Sequence, residues 1–455
     1  MKYKKYPSYK DSGVEWLGDI PEHWNVNTIK SLLEERKESN SPLKTENILS
    51  LCMYRGVIPY SEKGNSGNKA KEDLTAYKLA YPGDIVLNSM NVVAGSVGLS
   101  KYFGAVSPVY YMLRPRNKQD KVEFFNDIFQ SESFQKSLFG LGNGIMVKES
   151  ESTGKLNTIR MRIPMDKLNT VLIPYPPSKE QQQIVNFLDK ATAKIDTLIE
   201  KQTKQIELLK EKRQAVISHA VTKGIKSNVK MKDSGVEWLG EIPEHWKVSK
   251  LRFLFSFSTG LNITKANLID EDGIPCVNYG EIHSKYGFEV NANKDSLKYV
   301  DKEYLITSKT SLLSEGDFVF ADTSEDVKGS GNFTHVVGDS KIFAGYHTVI
   351  ARLINNYNSR YFAYIFDSNI FRTQIQLSIK GVKVFSITQA ILKNCLIWFP
   401  VIEEQQQIAN YLDEKTSKID ILIEKSNKSI ELLKEKRTAL ISAAVTGKID
   451  VREKV

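Results

Sequence analysis

Two copies of a mixed α/β (α+β) domain, joined by two long helices that pack on each other, is the fold class this sequence predicts, and three observations predict it. The block KDSGVEWLGDIPEHW at residues 10–24 returns as KDSGVEWLGEIPEHW at residues 232–246, with only Asp19 against Glu241 changed. A second block, EQQQIVNFLDKATAKIDTLIEKQTKQIELLKEKRQAVISHAVT at residues 180–222, matches EQQQIANYLDEKTSKIDILIEKSNKSIELLKEKRTALISAAVT at residues 404–446. Between these blocks lie two middle segments of mixed strand and helix character whose sequences look barely related. The chain is a tandem duplication in which the frame is kept and the middle segments have diverged.

A length of 455 residues exceeds what one hydrophobic core supports, so several domains are expected. The repeats divide the chain into a frame block (1–25), a first middle domain (26–172), a central helix (173–225), the repeated frame block (226–247), a second middle domain (248–396), a distal helix (397–449) and a tail (450–455). Hydrophobic residues make up 41% and charged residues 26%, the values of an ordinary soluble protein. No apolar run approaches the roughly 20 residues that span a bilayer, and the opening MKYKKYPSYKDSG lacks the apolar core of a signal peptide, so a cytoplasmic protein without a membrane partner is expected. Cys52, Cys276 and Cys395 are too widely spaced for a disulfide framework or a CxxC metal pair and read as buried thiols. A net charge of +9 favours a polyanionic partner.

The helical blocks carry a seam. Ile184, Leu188, Ala191, Ile195 and Leu198 fall at alternating steps of four and three, which suits a helix made for another helix. The seam then meets Gln202 and Gln205 before recovering at Ile206, Leu209 and Val216. The second copy does the same: Ile408, Leu412, Ile419 and Leu422 precede Ser426 and Ser429, and Ile430, Leu433 and Leu440 follow. The polar positions are either a device that fixes register or a stutter in the repeat. Both helices start after prolines, Pro174, Pro176 and Pro177 or Pro400, and stop near Gly224 and Gly447. At about 1.5 Å per residue each arm is about 60 Å long, too long to fold inside a middle segment.

In the middle segments, strands are expected over 84–87 and 109–113 in the first and over 317–320 and 348–353 in the second. PGDIVLNS from Pro82 and EGDFVFAD from Glu315 share a Gly-Asp turn leading into an apolar strand, a trace of common descent. Polar, glycine-rich stretches at 61–73, 148–162 and 322–335 are expected to be functional or mobile loops.

The motifs of catalysis are missing. There is no GxxxxGK[ST] loop, no GxGxxG after a strand, and no Asn-Pro-Pro-aromatic tetrapeptide of the kind used against a flipped adenine. The six histidines show no HxH or HxxxH spacing. Asp317, Asp322 and Glu325 read as solvated loop acids, although a metal-dependent nuclease would need such carboxylates. Trp16, Trp24, Trp238 and Trp246 lie in the frame and read as packing residues, with His23 and His245 packing or hydrogen-bonding beside them.

A duplicated WLG-x-IP-x-HW opening, a variable segment, and a P-x-x-x-EQQ-I helix ending in ELLKEKR-x-A-x-I together resemble the specificity subunit of a type I restriction-modification system, over essentially the whole chain. The resemblance implies two target recognition domains, each reading half of a split double-stranded DNA site. It implies that the helices form an antiparallel coiled coil that acts as a ruler and docks two methyltransferase subunits, which restriction subunits join. It places S-adenosylmethionine, ATP and magnesium on those partners and none in this chain. Two recognition domains on antiparallel helices are related by a pseudo-twofold, as are the strands of a duplex, and unlike domains imply an asymmetric bipartite target. A 60 Å arm limits the footprint to about 18 base pairs.

Specific base contacts want Arg or Lys against guanine and Asn or Gln against adenine, with Lys, Ser and Thr on phosphates. In the first domain the candidates are Asn88, Asn91, Lys148, Lys155, Arg160 and Arg162; in the second they are Lys328, Asn332, Thr334, Lys380 and Lys383. Two competing readings stay open: a self-contained endonuclease or modification enzyme using the loop acids, and a non-catalytic coiled-coil adaptor.

Overall fold

The computed structural model describes residues 3–52, 55–64, 70–142, 162–379, 381 and 384–452, and the backbone alone of 148–149 and 156–157. The chain forms two compact units, Met1–Thr203 with Lys428–Val455, and Lys204–Asn427. These are not the two sequential repeats. Each unit holds one frame block, one middle domain, and part of both long helices.

The long helices are Ser178–Lys223 and Ile402–Val445. Each begins just past proline with acids in its first turn, Glu180 in one and Glu403 and Glu404 in the other, which suit the positive end of the helix dipole. Each stops at a glycine in the left-handed region, Gly224 at φ 77° and Gly447 at φ 72°. In the first unit the start of the central helix runs antiparallel to the end of the distal helix: Gln183 reaches Arg452, and Asp196 reaches Arg437. In the second unit Gly224 approaches Glu404 while Arg213 reaches Asp420, again antiparallel.

The seam departs from the expectation at two positions. Leu198 is 47% exposed and Leu422 is 45% exposed, while Ile199 and Ile423 are partly buried in their place. The buried line runs through Ile184, Leu188, Ile195, Ile199, Gln202 and Ile206, so two successive steps of four follow Ala191 and the seam moves by one residue. Leu209 is half-buried. The distal helix repeats the line through Ile408, Leu412, Ile419, Ile423, Ser426, Ile430 and Leu433, with Ser426 buried on the seam. The stutter and the polar seam residue therefore coexist.

Both middle domains are built on one sheet plan. In the first, Leu33–Arg36, Tyr110–Pro115, Ile85–Asn88 and Val97–Leu99 pair antiparallel in that order. In the second, Phe255–Thr259, Thr348–Leu353, Phe318–Ala321 and Phe333–Val336 take the same order, with Glu289–Val290 added in parallel at the edge. The central strands read as unbroken apolar runs because both faces are covered. Phe318 and Phe320 enter the core that includes helix Ser359–Asp367, whereas Val319 and Ala321 enter a smaller cluster on the other face.

The Gly-Asp turns explain the surviving cousinship. Asp84 accepts the amide of Tyr81 at 2.9 Å and Arg36 Nε at 2.8 Å; Asp317 accepts the amide of Ser314 at 2.9 Å and Arg352 Nε at 3.0 Å. Asp317 is thus a buried, ion-paired turn residue, not a solvated loop acid. Cys276 and Cys395 are buried as expected, while Cys52 is only half-buried.

Candidate nucleic-acid interface

The frame blocks clamp each middle domain to the helices. The buried Glu180 carboxylate accepts Tyr6 OH at 2.8 Å, Trp24 Nε1 at 3.1 Å and pairs with His23 Nε2 at 2.7 Å. Glu404 repeats this with Trp246 Nε1 at 3.2 Å and His245 Nε2 at 2.7 Å. The next residue of each motif turns the other way. Gln181 accepts the amide of Lys121 at 2.9 Å, and Gln405 accepts the amide of Asn358 at 3.0 Å, in each case at the entry to the helix that backs the sheet. A Cβ on Gly447 would lie 2.3 Å from Pro21 Cδ, so the helix stop must be glycine for the clamp to close. Trp24 and Trp246 are fully buried, Trp16 packs on Phe134 and Trp238 on Trp398, which is packing and not a stacking platform.

Held this way, each middle domain opens a polar cleft beyond the C-terminal end of its matched central strand. In the first, a cavity of about 590 Å³ beyond Ile85–Asn88 is lined by Tyr60, Tyr77, Asn88, Asn91, Ser107 and Tyr110. Asn91 is exposed, and Asn88 is half-buried with its Oδ1 accepting the amide of Met90 at 3.0 Å. Burial raises the Tyr110 phenol above its ordinary range, so it stays a neutral donor and acceptor. The Ile163 amide donates to Ser89 O at 2.9 Å, which brings the exposed Arg162 next to the Asn88 loop. Lys148 lies on the strand Lys148–Glu149, its side chain outside the described residues; Lys155 and Arg160 lie outside them altogether.

In the second domain, a cavity of about 700 Å³ beyond Phe318–Ala321 is lined by Tyr279, His283, Glu325, Lys328, Asn332 and Arg372. Lys328 is exposed at its rim, and Asn332 is half-buried within it. Thr334 corrects the expectation: it is fully buried inside strand Phe333–Val336, where the pleat turns it into the core, and cannot touch DNA. Lys380 and Lys383 lie outside the described residues. Tyr279, His283 and Arg372 were missed because they come from short helices distant in sequence from the glycine-rich loop, and no periodicity marks them. His335, stacked on Phe318 and pushed down to about 3 by burial, is a neutral packing residue.

Among the described residues, no group of three His, Cys, Asp or Glu side chains could hold a metal ion, and no helix is long and apolar enough to cross a membrane. Two unlike clefts on a common plan, each fixed to the same pair of helices, define a two-headed recognition protein. The description "Type I restriction modification DNA specificity domain" matches residues 21–208 and again 243–432. The chain belongs to this family, that of the specificity subunits of type I restriction-modification systems. It is 26% identical to the type I restriction enzyme MjaVIII specificity subunit of Methanocaldococcus jannaschii, over 99% of this chain and 98% of that protein. It is 23% identical to the EcoBI specificity subunit of Escherichia coli over 85% of this chain and 78% of that protein. The fold matches, with a TM-score of 0.66 and 13% identity over 94% of this chain and 98% of the other, a solved chain described under "complex assembly and conformational transition of the type I R-M system".

Proposed function

We propose that this chain reads an asymmetric, bipartite site in double-stranded DNA, one cleft per half-site, and that two methyltransferase subunits dock on its paired helices and are joined by restriction subunits. The observation that carries the reading is the pair of clefts at matching strand ends with unlike linings. Asn88, Asn91 and three tyrosines offer amide and phenol groups in one; Lys328, Asn332, His283 and Arg372, beside the acids Glu325 and Asp326, offer a more highly charged set in the other. These groups match the donors and acceptors of base edges, and the net charge of +9 suits the phosphates around them. An enzymatic reading finds less support, since Asp317 is already neutralised by Arg352. S-adenosylmethionine, ATP and magnesium are assigned to the partners, and the chain itself to no chemical step.

Mapping methylated bases in the host genome tests this. A split motif with a fixed gap and unlike halves is expected, and it should vanish when this chain is deleted. Purified alone, the chain should neither methylate nor cut; activity abolished by Asp317→Ala or Glu325→Ala would overturn the assignment.

A further inference from the structure

Arg372, on the helix Asn369–Ser378, borders two cavities at once: the cleft just described and a second of about 660 Å³ against Lys210 and Gln214 of the central helix. Among the described residues its guanidinium makes one hydrogen bond, from Nη2 to Asn332 Oδ1, and no ion pair; its Nε is buried without an acceptor. Other partly buried arginines of this unit are neutralised: Arg352 by Asp317, Arg360 by Asp413 and Arg213 by Asp367. A desolvated cation normally requires such a partner. Burial holds the Arg372 guanidinium below its ordinary range, and the Asp367 carboxylate that opposes this is already bonded to Arg213.

The side chain is also preset. His283 Nε2 faces Thr323 O at 2.8 Å and must donate there, so its Nδ1 accepts from Asn332 Nδ2 at 2.8 Å. That fixes the Asn332 amide with Oδ1 toward Arg372, leaving the guanidinium with unused donors in a cleft whose acids, Glu325 and Asp326, make no ion pair with it among the described residues. We infer that Arg372 is a specificity-determining residue of the second domain, donating to the O6 and N7 acceptors of a guanine in its half-site. The inference rests on the DNA reading proposed above. Phosphate oxygens offer similar acceptors, but the exposed Lys328 at the rim is placed for those, whereas Arg372 is recessed.

The test compares the host methylation maps of wild type, Arg372→Ala and Arg372→Lys, with binding of the full chain and its methyltransferase partner to a library of duplexes. The first half-site and the gap should stay unchanged and serve as an internal control. At one position of the second half-site the preference for guanine should fall roughly tenfold or more in both variants, since lysine keeps the charge but loses the bidentate fork. An unchanged second half-site overturns the inference. So does equal weakening on all sequences with the salt slope reduced by about one, which would make Arg372 a phosphate contact. If Arg372→Ala abolishes methylation by unfolding, shown by its melting temperature, the lysine variant decides. A wild-type map without a split motif would instead defeat the DNA reading itself.

Discussion

Arg437 Nε donates to Asp196 Oδ1 at 3.0 Å, and the identical pairing recurs where Arg213 Nε donates to Asp420 Oδ1 at 3.1 Å. The four residues occupy matching places in the duplicated helical block, so each helix contributes its aspartate to one pairing and its arginine to the other. A fragment of residues 231–455 keeps Asp420 and Arg437 and loses both their partners. A second copy supplies them, together with a near-identical apolar seam. The fragment is expected to be a homodimer at micromolar concentration by sedimentation and, with partner subunits, to direct methylation to an inverted repeat of the second half-site. A monomer, or methylation of the original asymmetric site, would contradict this.

The two pairings should not be equal in energy. Arg437 forms its ion pair with an exposed aspartate, so Arg437→Ala should cost less than about 1 kcal/mol. Arg213 also reaches Asp367 at 2.7 Å in a less exposed setting, and Arg213→Ala should cost about 1.5–3 kcal/mol. Urea unfolding of the full chain measures both.

Glu180 should be the costliest clamp residue to remove. Its buried carboxylate serves Tyr6, Trp24 and the half-exposed His23, so Glu180→Ala strands two buried donors and should cost about 3 kcal/mol or more, while Glu404→Ala strands one and costs less. Equal, negligible losses in thermal melting would show that the frame is not held through these carboxylates.

Asp127 introduces a pH dependence into the first unit. Although part of its surface remains accessible, burial pushes its carboxyl up to about 8, reinforced by Asp189 and Glu123 and opposed by Arg437. A folded pKa above the unfolded value means the native state holds the extra proton: the stabilisation is complete below about pH 4 and is lost as pH rises toward 8. Asp127→Asn should therefore raise the melting temperature at pH 8 by about 2–4 °C and leave it nearly unchanged at pH 4. An equal effect at both pH values would place the raised pKa elsewhere.

The gap between half-sites should follow helix length. One heptad inserted into both helices, after Gln202 and Ser426, preserves the seam and adds about 10 Å, or roughly three base pairs. Methylation mapping should show a longer gap with unchanged half-sites. Altered half-sites would mean that the helices do more than set distance.

Much of this molecule was legible in the chain because duplication makes its constraints visible twice. Exact repetition of WLG-x-IP-x-HW and EQQ marked residues whose geometry leaves no latitude: the glutamate that takes the indole and imidazole, and the glutamine that takes the entry amide. Heptad spacing foretold the helices and their mutual packing, since a stripe of apolar residues at that period has to be covered. It failed at Leu198 and Leu422, where a choice between adjacent apolar residues depends on how the facing helix is rotated. The clefts were legible only in part. Asn88, Asn91, Lys328 and Asn332 stand in them because loops that follow a strand stay at its end, whereas Thr334 is lost to the core because the pleat of the strand, invisible in composition, turned it inward. Arg372 and His283 belong to the second cleft through tertiary structure alone. Their segments are joined by hydrogen bonds between side chains far apart in sequence, which leave no local period or motif to read, and only the packing of the Asn369–Ser378 helix beside the glycine-rich loop brings Arg372 into the cleft with no ion pair among the described residues.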